Sequence, residues 1–293
     1  MSVPTSINDD GFVLVISSSK SKRKRSKGTR KSTNHIFHSS GQPEDSTGNV
    51  EINIDEFLRR FDETENDFFQ SEFFRQTVSK IVPILELQNI RHIICLGLGR
   101  LSECTISRHQ LAFVRGLQKQ LPSVETPIQF YDPIFSQQET DIIQRLGAVV
   151  LTENLEGKYS AAEKTLFYLP HCPKQITNNL LWKNWNQAFL GNVFLIGNSF
   201  ESIISNTPKR LLKSNSEYLL NIADFCKETK LDNIFKFKDI FNDTSLHCFD
   251  ITVLSQQEAS FWEAQEPCYA EDDLELISKS IQQNLELTNK DGS

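Results

Sequence analysis

The sequence predicts an α/β fold: a Rossmann-like, doubly wound, mostly parallel sheet behind an N-terminal helical extension. Three observations predict it. From residue 92 onward, short apolar runs alternate with amphipathic segments. The runs are apolar on both faces rather than alternating, as expected of strands covered on both faces by crossover helices. A Gly97-Leu98-Gly99 turn stands between the first run and the first helix after it, where such folds turn their backbone toward a ligand.

Taken in order, residues 54–87 repeat apolar side chains at three- and four-residue steps. Phe57, Leu58 and Phe61 are followed by Phe69, Phe73, Phe74, Val78 and Ile81. This spacing predicts helices whose apolar face packs on their own domain. Strands are expected at 92–98, 128–131, 148–151, 165–169, 192–196 and 246–253. Helices are expected at 102–121, 136–146 and 176–189, with a long helical region over 209–229. With 21 Phe and one Met among 293 residues, the core should be rich in aromatic rings.

The two ends have opposite charge. Residues 1–50 carry eight Lys/Arg against four Asp/Glu, so of the net charge of −7 the remainder carries −11. Residues 1–50 are expected to be a disordered basic tail, and Lys22-Arg23-Lys24-Arg25 within it suits a nuclear-import signal. Residues 51–262 are expected to form the α/β domain. Residues 263–293 read as an acidic tail in which Leu274, Ile277, Ile281 and Leu285 fall on one face of an amphipathic helix. So acidic a body repels a phosphate backbone, which argues against nucleic acid as the folded domain's partner. No apolar run approaches the ~20 residues of a membrane span, and no membrane partner is expected. Six Cys without a C-x-x-C pair point to reduced thiols in the cytoplasm, with the nucleus as a second location.

Candidate site residues come from the segments just after each strand, because ligands of doubly wound sheets lodge beyond the strands' carboxyl ends. They are Gly97 and Gly99, then Asp132, His171, Asn198, Ser199, Asp243 and His247. The glycine turn lacks a third glycine, since Ser102 stands there, and Asp132 comes 35 residues after Gly97 rather than ~20. Cys172-Pro173 raises haem ligation, and Gly197-Asn198-Ser199 a nucleophilic serine. The serine fails the G-x-S-x-G pattern at Glu201. The His-Cys dipeptides at 171 and 247 supply too few convergent ligands for a metal, and none is expected.

Several stretches, in order, carry a family resemblance. They are Gly97-Leu98-Gly99, Arg108-His109-Gln110-Leu111-Ala112-Phe113, Tyr131-Asp132-Pro133-Ile134-Phe135, Tyr168-Leu169-Pro170-His171-Cys172, Asn178-Asn179-Leu180-Leu181-Trp182, Gly197-Asn198-Ser199-Phe200 and Phe241-Asn242-Asp243-Thr244-Ser245-Leu246-His247. Over about residues 86–255 the chain resembles the sensitivity-to-red-light-reduced (SRR1-like) family. Pro173 and Cys248 depart from its pattern. The resemblance implies a regulatory protein, with input to the circadian clock and control of haem biosynthesis, acting through protein partners or a small nucleotide-like ligand. It brings no catalytic set and no identified cofactor. The alternative is a cofactor-dependent enzyme of the methyltransferase-like Rossmann type. Gly97, Gly99 and Asp132 would then hold the cofactor, and His171, Asn198 and Asp243 would face the substrate.

Overall fold

The computed structural model describes residues 52–269, together with a two-residue antiparallel strand pair, Ser6–Ile7 with Val13–Leu14. The chain divides into two units, 1–49 and 50–293. The basic run at 22–25 and the amphipathic stripe at 274–285 lie outside the described residues.

The second unit opens with α1 (Ile54–Gln70) and α2 (Glu72–Leu87). Ser71 separates them and serves both ends. Its hydroxyl donates to Phe68 O at 2.6 Å and accepts the Phe74 N–H at 3.2 Å. The apolar stripe read from the sequence packs inward, burying Phe61, Phe73, Phe74 and Ile81, and Phe68 and Leu85, outside that reading, are buried with them. Phe68 sits at the centre of a ring cluster, with Phe74, Phe235 and Phe241 centroids 5.3–5.6 Å away. Offset and edge-on rings at such spacings are favourable beyond the area they bury.

Seven strands form one sheet: β1 (His92–Leu96), β2 (Gln129–Tyr131), β3 (Val149–Val150), β4 (Thr165–Leu169), β5 (Val193–Asn198), β6 (Cys226–Lys230) and β7 (Thr244–Phe249). Their order is β3-β2-β1-β4-β5-β7-β6. The first five pair in parallel, while β7 runs antiparallel to both β5 and β6. Five parallel strands in the order 3-2-1-4-5 reproduce the doubly wound dinucleotide-fold arrangement, whose switch point lies between β1 and β4. On one face α1, α2, α3 (Thr105–Gln120) and α4 (Gln137–Arg145) close the phenylalanine-rich core. On the other lie α5 (Lys174–Lys183), α6 (Gln187–Leu190), α7 (Phe200–Asn206), α8 (Lys209–Asn215), α9 (Glu217–Ile222) and α10 (Ile251–Leu254).

Three expectations need correction. The long helical region at 209–229 is two short helices and a 3-10 turn, followed by β6. Ser216, at φ −158°, breaks the helix, and Asn178 Oδ1 receives the Tyr218 N–H at 2.9 Å to start α9 afresh. The helix expected at 176–189 is interrupted, with Asn186 capping α6 through the Phe189 N–H at 2.9 Å. The last strand stops at Phe249, because Asp250 caps α10.

Candidate functional site

Beyond the carboxyl end of β1 the chain turns through Gly97 and Gly99 at φ +69° and +81°, where an L side chain is strained by roughly 1–2 kcal/mol. Gly97 also has a close neighbour. A Cβ placed on it would lie 2.5 Å from Cys172 Sγ. That thiol donates to Leu96 O at 3.2 Å. Cys172, which follows β4, therefore fills the end of the β1–β4 crevice, the switch point where ligands of this fold class lodge. Burial pushes the thiol well above its usual range, and the Asp132 charge adds to this. Both effects disfavour the thiolate, the form that attacks or ligates.

Two carboxylates hold the glycine turn. Asp132, just after β2, accepts the Gly99 N–H at 2.7 Å and the Ile134 N–H at 3.0 Å. Burial raises its pKa, against the pull of those two amides. Glu139 is fully buried at the start of α4. Its Oε1 accepts the Leu101 N–H at 2.6 Å and, at 3.3 Å, both the N–H and the hydroxyl of Ser102. Its Oε2 accepts the Ser136 N–H at 2.9 Å, completing a capping box. From the other side, Arg108 donates to Leu101 O at 2.9 Å. Three amides of the turn thus point at the protein's own carboxylates. A phosphate cradle leaves such amides open and keeps anions away.

His171, at φ +51° in the turn after β4, donates from Nε2 to Ile240 O at 3.0 Å. Gln110 donates to the same carbonyl at 3.2 Å, so the β6–β7 connection is pinned to both β4 and α3. Asn198 donates to Cys172 O at 2.9 Å. The structure therefore links Gly97, Gly99, Asp132, His171 and Asn198 along one edge. Ser199 and Asp243 form a neighbouring cap. The Ser199 N–H reaches Asp243 O at 2.7 Å, and its hydroxyl accepts the Ser202 N–H at 3.1 Å to start α7.

His247 does not belong to the edge. Because β7 runs antiparallel, its register pairs His247 with Leu195 in mid-sheet. The imidazole is fully buried and stacks on Phe200 at 4.0 Å. Nδ1 donates to Leu195 O at 3.2 Å, while Nε2 has no hydrogen-bond partner among the described residues and lies 3.8 Å from Glu228 Oε2. Burial lowers its pKa to about 4, outweighing the Glu228 charge. Glu228 itself is held below the usual carboxylate range. Burial would raise it, but the Ser199 and Ser245 hydroxyls, the Glu201 N–H and His247 together prevail.

Comparison with known proteins turns on the segment that carries these features. The family model described as "SRR1 domain" matches residues 69–248, from the end of α1 almost to the end of β7. The chain belongs to the SRR1 family. An SRR1-like protein of Drosophila melanogaster is 33% identical over 233 residues, covering 78% of this chain and 82% of its own. The Arabidopsis thaliana protein Sensitivity to Red Light Reduced 1 is 27% identical over 207 residues, covering 66% of this chain and 72% of its own. Among solved structures, the SAH-bound methyltransferase PaMTH1 of Podospora anserina aligns over 67% of this chain and 88% of its own. Its identity is 11% and its TM-score 0.36.

The SRR1 domain thus contains the glycine turn, Asp132, Glu139, His171, Cys172 and Asn198. Glu139 and Ile240 are the positions that sequence reasoning passed over. For Glu139 a signal existed, because Ser136-Gln137-Gln138-Glu139 has capping-box spacing. For Ile240 only the backbone carbonyl matters, and no side-chain pattern reports that.

Proposed function

We propose that this SRR1-family chain is a regulatory protein that acts by binding rather than by turnover, with circadian-clock input and haem biosynthesis as the processes it regulates. The name of the Arabidopsis relative, which refers to red-light sensitivity, supports the first process, and the family resemblance supports both. The observation that carries the binding reading is the filled crevice: Cys172 against Gly97, beside amides already bonded to Asp132 and Glu139. The methyltransferase-like alternative needs that edge to admit a nucleoside cofactor, with Asp132 receiving ribose hydroxyls.

Thermal melts of the full chain with S-adenosylmethionine, its demethylated product and the nicotinamide dinucleotides test the choice. A ligand at ~100 times its Kd adds about 2.7 kcal/mol, or roughly 5–10 °C at this domain size. No shift is expected. A shift of that size, lost in Asp132→Asn, would overturn the filled crevice and make the edge a cofactor site; turnover of a methyl or hydride acceptor with that cofactor would then decide for the enzyme.

A further inference from the structure

After the 3-10 turn Ala259–Trp262, the chain runs on to residue 269 without regular secondary structure. It crosses the face formed by α5, α9 and the loop around Lys158, and side chains of that face hold it. Tyr218 reads the backbone of Gln265 twice. Its hydroxyl donates to Gln265 O at 2.7 Å and accepts the Gln265 N–H at 2.8 Å. Lys158 pairs with the Glu266 carboxylate at 2.7 Å while Glu156 steadies the ammonium at 3.0 Å. The Tyr269 hydroxyl accepts from Asn178 Nδ2 at 3.0 Å, and its proton goes to Asn179 Oδ1 at 2.7 Å.

The receiving groups are held by contacts outside the segment as well. Asn178 and Asn179 are buried, at 2% and 1% exposure. Asn178 Oδ1 is committed to the Tyr218 N–H, and Asn179 Nδ2 to Glu156 O. Each therefore turns one remaining polar group outward in a set direction. Together they read a backbone amide, a carboxylate one residue later, and a phenol three residues after the carboxylate. The segment itself is light in its hold, since Gln265 and Glu266 remain exposed.

We infer that this face is a peptide-docking site, held in cis by residues 265–269, for a partner protein presenting an extended segment with Glu three residues before Tyr. The inference rests on the reading of the chain as a binding regulator and names the class of partner. The chain itself supplies the occupant's chemistry, because its own Gln265-Glu266-Pro267-Cys268-Tyr269 is seated there. A tethered segment acts at an effective concentration in the millimolar range, so a free peptide meets a largely filled site until the tether lets go.

Fluorescence polarisation of a labelled Gln-Glu-Pro-Ser-Tyr peptide with the full chain tests this. The Glu266→Ala/Tyr269→Ala variant removes the cis ligand and should bind the peptide about tenfold more tightly than wild type, by relief of competition. Adding Lys158→Glu should cancel the gain. A peptide ending in Phe should bind about tenfold more weakly, as expected when a satisfied hydroxyl is lost. If the double variant does not melt cooperatively, Glu266→Ala alone gives the same reading with a smaller gain. Absence of saturable binding to a cooperatively melting variant would overturn the inference. So would binding indifferent to both Lys158→Glu and the peptide's hydroxyl. Either failure, with melts unmoved by cofactors, would remove this surface and leave the binding reading intact.

Discussion

Replacing Gly97 by Ala separates a filled crevice from an open one. Two effects act at this position. The backbone at φ +69° strains any L side chain by about 1–2 kcal/mol. The new methyl would also meet Cys172 Sγ at 2.5 Å, well inside van der Waals contact, and overpacking of this kind costs about 1–3 kcal/mol. Gly97→Ala should therefore lower stability by about 2–5 kcal/mol in the wild-type background. In a Cys172→Ala background the sulfur is gone and only the backbone strain persists, about 1–2 kcal/mol. The difference is a coupling of about 1–3 kcal/mol, the size expected of residues in direct contact. Urea unfolding of the four proteins measures it, provided the slopes with denaturant agree. Equal costs of Gly97→Ala in both backgrounds would refute the claim that Cys172 occupies the end of β1.

Glu139→Ala strands the amides of Leu101, Ser102 and Ser136. The buried Leu101 donor costs about 1–3 kcal/mol, and those of half-buried Ser102 and Ser136, which water can reach, about 1 kcal/mol each, so a loss near 3–5 kcal/mol is expected, with a fall of roughly 6–20 °C in Tm. His247 makes stability depend on pH. Its folded pKa of about 4 lies below the unfolded 6.5, so below pH 6.5 the unfolded chain binds a proton that the folded chain refuses. Stability is therefore fully present above pH 6.5 and is lost as pH falls toward 4, by about 3 kcal/mol at most. Glu228, whose folded pKa is also lowered, adds loss in the same direction at the acid end. Urea unfolding between pH 4 and 7 should show a shallower slope in His247→Gln than in wild type. Asn178→Ala takes acceptors from the Tyr218 and Leu219 amides and a donor from Tyr269. It should raise amide exchange across α9 and across 265–269 together.

The parallel half of the fold was legible because β1, β4 and β5 each carry a continuous apolar run, Ile93–Leu96, Leu166–Leu169 and Val193–Ile196. The reversed half was not. In β6, Cys226-Lys227-Glu228-Thr229-Lys230 has one face toward solvent and reads as helix or loop without its partner β7. The long helical reading at 209–229 failed for a related reason, because the break at Ser216 depends on Asn178, a residue of another helix. At the edge, Gly97, Gly99 and Asp132 were legible as a set, and Gly99 and Asp132 are joined directly. What they do for each other was not, since the spacing of glycines and an acid is the same whether the acid meets a ribose or the turn's own amide. His247 was misplaced because strand direction decides which end of β7 reaches the edge, and one sequence does not state direction.

Amide hydrogen exchange at Gly99, Leu101 and Ser102, read by NMR on the full chain without ligand, tests the closed edge most directly. Ligand-binding loops are drawn from the least stable parts of a structure, whereas here the three amides are held by Asp132 and Glu139. A closed edge should give protection approaching that of core amides in β1, unchanged by S-adenosylmethionine or a nicotinamide dinucleotide. Fast exchange at these three positions that slows when either cofactor is added would contradict it.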